Sequence, residues 1–105
     1  MIKSDVHVRF DILKTIYELT KSNKKRYQSI FPAQIDNCTI QDMSFHLRTL
    51  KNKKYLNYQP RMLMRTFQIE ILPEGTAIVE DFTAAYHSKE EDRDALMNAA
   101  LKKLK

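Results

Sequence analysis

Glycine is almost missing from this chain: Gly75 is the only one in 105 residues. Loops that cradle phosphate on backbone N–H groups need several, so Gly-rich nucleotide-binding motifs are excluded. Cysteine is as scarce, and Cys38 alone cannot close an intramolecular disulfide. It reads as a small, half-buried residue at a helix entrance; redox sensing would require nearby cations to stabilise its thiolate. No apolar run has the length of a membrane span, and Met1-Ile2-Lys3-Ser4-Asp5 turns charged at once, unlike a secretory leader. A cytoplasmic protein with no membrane partner is expected. His7, His46 and His87 fall on different predicted elements without a second ligand at metal spacing. The acidic group Glu90, Glu91, Asp92 and Asp94 is explained by the positive end of a helix dipole. With no converging acid, base, nucleophile or ligand set, the expectation is a non-enzyme without cofactor.

What the chain does have is positive charge, unevenly placed. The formal net charge is +5, but residues 1–72 hold 13 Lys/Arg against 6 Asp/Glu, a net +7, whereas residues 73–105 hold 5 against 7, a net −2. Such asymmetry points to an anionic partner for the first two-thirds and another task for the rest. The length suits one domain spanning 1–105, able to bury roughly 60–68% of its unfolded surface.

Phe10, Ile12, Leu13, Ile16, Tyr17 and Leu19 recur at helical spacing within residues 5–21, and the run Lys21 to Arg26 closes that helix. A second helix is expected over 27–36, with Tyr27, Ile30, Phe31 and Ile35 inward and Pro32 limiting its first turn. A third, over 39–53, is the most informative segment. Ile40, Met43, Leu47 and Leu50 form one apolar ridge, and Thr39 is placed to cap the first turn. Gln41, Ser44, Phe45, Arg48 and Asn52 face the other way. They include the groups that read base edges: Arg for guanine, Gln or Asn for adenine, an apolar ring for a thymine methyl.

The period then changes to that of strands, over 55–59 and 62–72, with Phe67, Ile69 and Ile71 alternating with Gln68 and Glu70. A hairpin with a short basic turn follows. Met62 and Met64 in that turn either wedge between base steps or pack back onto the hairpin, and burial of apolar side chains favours the second. Pro73-Glu74-Gly75 opens another helix to about residue 87, with Ile78, Val79, Phe82 and Tyr86 as its apolar stripe. Ser88-Lys89-Glu90-Glu91 reads as a capping box for a last helix to about 104.

Met43-Ser44-Phe45-His46-Leu47-Arg48-Thr49-Leu50-Lys51-Asn52-Lys53-Lys54-Tyr55-Leu56 resembles the recognition-helix-to-strand run of small prokaryotic regulators, of the "VSRHLRKLEEKGYL" type. Ile71-Leu72-Pro73-Glu74-Gly75 resembles their "LTPEG" run. The resemblance, over about residues 6–86, is to winged-helix regulators of the MarR and PadR types. It implies an α+β fold: a winged helix-turn-helix, with a three-helix core, a two-stranded hairpin wing and additional C-terminal helices. Lys54 stands where those proteins usually carry Gly, which puts a side chain at a position suited to positive φ. Leu72 replaces their capping Thr, so that cap is weaker or supplied by another group.

Under this reading double-stranded DNA is the partner. Gln41, Ser44, Phe45 and Arg48 read bases, Phe45 either on a thymine methyl or folded over the preceding helix, and Thr39 joins the DNA-binding set at the helix start; Lys24, Lys25, Arg26, Lys51, Lys53 and Lys54 grip phosphates; Arg61 and Arg65 extend from the wing. Residues 5–73 form the DNA-binding part and 74–105 the C-terminal helices. Leu96, Met97, Ala100, Leu101 and Leu104 form a stripe expected to pair two copies as a homodimer, so that truncation after Tyr86 leaves a monomer. The expected role is transcriptional regulation. A plasmid or phage segregation or replication factor would use the same surface, and a protein-interaction winged helix would present an acidic or apolar face instead.

Overall fold

The computed structural model describes residues 4–35 and 38–105. Four helices and a three-stranded antiparallel sheet make an α+β fold. The order is α1 (Asp5–Asn23), β1 (Gln28–Ile30), a 3-10 turn (Pro32–Gln34), α2 (Ile40–Asn52), β2 (Leu56–Arg61), a 3-10 turn (Met62–Met64), β3 (Thr66–Ile71), α3 (Pro73–Tyr86) and α4 (Glu90–Lys102). No helix among the described residues is long and apolar enough to cross a membrane.

Capping explains where the first helices begin. The Ser4 hydroxyl accepts the His7 N–H, and α1 ends at Lys24 in the left-handed region, whose N–H returns to the Thr20 carbonyl. In α2 the caps are reciprocal: Thr39 Oγ1 accepts the Asp42 N–H at 3.1 Å, and Asp42 Oδ2 accepts the Thr39 N–H at 3.2 Å. Met43, Leu47 and Leu50 are then fully buried against Ile12, Leu13 and Ile16 of α1 and Leu56, Phe67 and Ile69 of the sheet.

The second helix expected over 27–36 does not form, although its last residue lies outside the described ones. Gln28, Ser29 and Ile30 pair instead with Ile69, Gln68 and Phe67 of β3, giving the sheet order β1-β3-β2. Pairing with β3 satisfies backbone groups that would otherwise lie on an open edge. The Asn23 and Gln28 amides, hydrogen-bonded to each other in both directions at 2.9 Å, hold the turn between α1 and β1. Ile30 and Ile35 are buried as expected, but Tyr27 and Phe31 are exposed. Pro60 sits in β2 without breaking it, since β2 is an edge strand.

Two further expectations are corrected at the C-terminal end. Lys89, not Ser88, precedes α4, with no side-chain cap, because the Ser88 hydroxyl donates to the Ala85 carbonyl at 2.6 Å and closes α3. The stripe on α4 turns inward: Leu104 and Ala100 are buried and Leu101 packs partly against the same core. Those three are therefore not free to pair with a second subunit, and residues 74–105 belong to the same core as residues 5–73. Only Leu96 of the stripe is exposed, with Met97 half-buried.

Gly75 marks a close approach of two backbone segments. A β-carbon there would stand 2.2 Å from the Tyr55 carbonyl oxygen. That oxygen already accepts the Leu72 N–H at 3.0 Å, so the start of α3 is fixed against the turn between α2 and β2. Leu72 itself offers no side-chain cap.

Candidate nucleic-acid interface

On α2, the helical period leaves Gln41, Phe45, Arg48, Lys51 and Asn52 exposed, and Lys53 and Lys54 continue that exposed run past its end. Arg48 has no hydrogen-bond or ion-pair partner among the described residues, so its guanidinium is available. Two of the expected DNA-binding residues are less available. The Ser44 hydroxyl donates to the Ile40 carbonyl at 3.1 Å, and the Thr39 hydroxyl oxygen is occupied by the helix cap. Phe45 divides its ring: it is 55% exposed, while the Arg9 guanidinium lies 5.6 Å from its centroid.

Arg9 is a residue that the sequence did not single out. It is a buried cation with no carboxylate partner among the described residues; its Nε–H donates to His46 Nδ1 at 3.2 Å and its Nη1–H to the Leu104 carbonyl at 2.8 Å. The carbonyl follows the C-terminal end of α4, where a helix dipole favours positive charge. Arg9 thus ties α1 to α2 and to the chain end. To accept from Arg9, His46 must be neutral, with its proton on Nε2 facing Asp5 Oδ1 at 3.9 Å. Burial first, and then the Arg9 charge, push its pKa below the usual 6.5; Asp5 and Asp42 oppose this only in part.

The sign of the resulting pH dependence follows from linkage. Between the lowered folded-state value and 6.5 the unfolded chain binds more protons at His46, so stability is fully present above 6.5 and declines as pH falls through that window. Thermal melts at successive pH values should show this decline, and His46→Gln should flatten it. An unchanged slope in that variant would assign the decline elsewhere.

The remaining cations differ in how free they are. Lys24 and Lys25 are exposed beyond α1, but Arg26 is ion-paired with Glu70 on the outer sheet face, so its charge is partly spent within the fold. Arg61 Nη2 donates to Gln68 Oε1 at 2.7 Å. Lys51 Nζ lies 5.6 Å from the centroid of Tyr58. Lys51, Tyr58, Tyr27, Asn57, Gln59 and Gln68 line a groove of about 380 Å³. The amides and Tyr27 were not among the expected site residues; the alternation of β2 and β3 was the signal that put Asn57, Gln59 and Gln68 on one face, whereas nothing local marked Tyr27.

Backbone geometry singles out three of these cations. Among the described residues the non-glycine positions with positive φ are Lys24 (59°), Lys54 (66°) and Arg65 (52°). Each is a place where glycine would sit without strain, and an L side chain there costs on the order of 1 kcal/mol. A cation is kept at all three despite that cost.

Cys38 has no such setting. Its thiol donates to the Thr39 carbonyl, and burial, assisted by Asp42, pushes its pKa up to about 11, which leaves it protonated at neutral pH. No group of three His, Cys, Asp or Glu side chains suited to a metal ion occurs among the described residues. Comparison with protein-family models, curated proteins and solved structures gives no match for this chain.

Proposed function

We propose that this chain is a winged-helix protein that binds double-stranded DNA sequence-specifically and regulates transcription by occupancy. The observation that carries the proposal is the exposed face of α2: Gln41, Phe45 and an unpartnered Arg48, leading without interruption into Lys51, Lys53 and Lys54. That is base-reading chemistry on α2 followed by phosphate-binding chemistry at its end and in the turn after it. The β2–β3 hairpin directly after α2 supports the wing, with Arg61 and Arg65 at its end. In this reading the core's middle helix is reduced to the single 3-10 turn Pro32–Gln34.

Two copies would be needed to read enough base pairs, with their recognition helices one DNA turn apart. Because Ala100, Leu101 and Leu104 are used inside the protomer, the apolar side chains that α3 and α4 still offer for pairing include the exposed Leu96 and Tyr86 and the half-buried Met97. Sedimentation showing a monomer at micromolar concentration would remove the homodimer from the proposal.

Base reading and phosphate gripping are separable by mutation. Arg48→Ala should weaken binding to a selected site by roughly 1–3 kcal/mol and relax preference at one base pair per half-site. Lys24→Ala should instead weaken all duplexes about equally. If both variants lose affinity uniformly across a sequence library, Arg48 contacts phosphate and the base-reading assignment fails.

A further inference from the structure

The hairpin ends in apolar side chains, Leu63 and Met64, that the described residues leave exposed. β2 and β3 remain paired out to Arg61 and Thr66, and the chain then turns through Met62–Met64 and Arg65. Leu63 is fully exposed and Met64 is 68% exposed, so Met64 does not pack back onto the hairpin. The side chain of Met62 lies outside the described ones. Guanidinium groups flank the tip on both sides: Arg61, steadied by Gln68, and Arg65, held in the left-handed region at φ 52°.

Size and charge together limit what such a tip can engage. Two side chains fall far short of the roughly 800 Å² per partner that a stable protein interface buries. They also offer less apolar surface than one acyl chain, which by itself gives only marginal membrane attachment. A base-step wedge needs no more than this: one or two apolar side chains that enter the minor groove, with cations beside them for the adjacent phosphates. The reach also fits. Six residues of β2, at about 3.3 Å each, give the hairpin a length of roughly 20 Å. Half of a DNA turn of about 34–36 Å is close to that distance.

We propose that Leu63, assisted by Met64, is a minor-groove wedge that unstacks a base step and bends the duplex while α2 occupies the neighbouring major groove. This rests on the duplex-binding reading above and adds to it a deformation of the DNA. Specificity would then depend partly on how easily a sequence kinks, with pyrimidine–purine steps favoured.

The test uses an end-labelled duplex rich in TA steps, with 2-aminopurine at one such step. Energy transfer between the ends reports bending, and 2-aminopurine brightening reports unstacking. The full chain should raise both signals, corresponding to a bend of about 20–90°, and Leu63→Met should preserve them. Leu63→Ser should lose both while keeping its melting temperature and the salt slope of binding, since no phosphate contact is removed. Duplex bound without bending, or bent equally by Leu63→Ser, would overturn the wedge and leave the proposed function standing. Failure to bind duplex at all would overturn the proposed function, and the wedge with it. Leu63-dependent binding to phosphatidylserine vesicles with a straight duplex would reassign the tip to lipid and overturn the wedge.

Discussion

Gly75→Ala should destabilise the fold by about 3 kcal/mol or more, the upper range for forcing an atom into packed structure. An ordinary glycine in a helix, replaced by alanine, gives the opposite result, a gain of roughly 0.5–1 kcal/mol. The sign reverses here because the new carbon would meet the Tyr55 carbonyl oxygen at 2.2 Å, the Tyr55 carbonyl carbon at 3.1 Å and Ile71 Cγ1 at 3.2 Å. The nearest obstacle is backbone, which cannot rotate aside as a side-chain end could. Its relief would shift α3 away from the turn that carries Lys53 and Lys54, so stability and DNA binding should fall together. Urea unfolding measures the first effect directly. A midpoint equal to or above that of the parent chain would contradict the close approach.

Deleting residues 87–105 should abolish cooperative folding rather than release a folded monomer. The deletion uncovers a core to which Leu104, fully buried, and Ala100 contribute, and a buried leucine alone is worth about 2 kcal/mol. It also strips Arg9 of the Leu104 carbonyl, leaving a buried cation with one fewer acceptor, at a cost of roughly 1–3 kcal/mol. With Leu101 added, the loss reaches a large part of the roughly 5–15 kcal/mol by which a small domain is stable. Circular dichroism during heating should show a broad, uncooperative change. A sharp transition in the truncated chain would show that α4 is dispensable and would restore it as a candidate for pairing two subunits.

The parts of the fold that were legible in the sequence are those governed by local rules. α1, α2 and α3 follow from the helical period of their apolar residues, and the starts of α2 and α3 from Thr39 and Pro73; the Ser4 cap of α1 was not singled out. The alternation of Phe67, Ile69 and Ile71 marks β3. β1 was not legible, because three residues with one apolar side chain among Gln28, Ser29 and Ile30 carry no period. Their strand conformation depends on β3, which lies some forty residues further along the chain. The stripe on α4 announced that it would be buried but not against what, and here the answer is its own core. Ser88 showed the same ambiguity on a smaller scale: its hydroxyl had a choice between the helix before it and the helix after it.

The candidate site divides in the same way. Exposure of Gln41, Arg48 and Lys51 follows from the period that buries Met43, Leu47 and Leu50. That Ser44 would turn its hydroxyl to Ile40, or that Arg26 would meet Glu70, depends on contacts that spacing does not encode. Lys54 was marked by its place in the resemblance to winged-helix regulators, and its φ of 66° agrees. The left-handed Lys24 and Arg65 had no such marker. Arg9 and His46 join elements that lie far apart in the chain, so nothing local suggested their hydrogen bond.

Duplex binding as a function of salt tests the central claim most directly. Each phosphate neutralised by Lys or Arg releases condensed counterions, so under the proposed function a dimer that uses the exposed cations of α2, its following turn and the hairpin should bind with a log–log slope of roughly −4 to −8. Anisotropy of a labelled duplex, titrated with the full chain at rising salt, gives that slope. A slope in this range is the expected result; a flat titration, or no binding at low salt, would contradict the account.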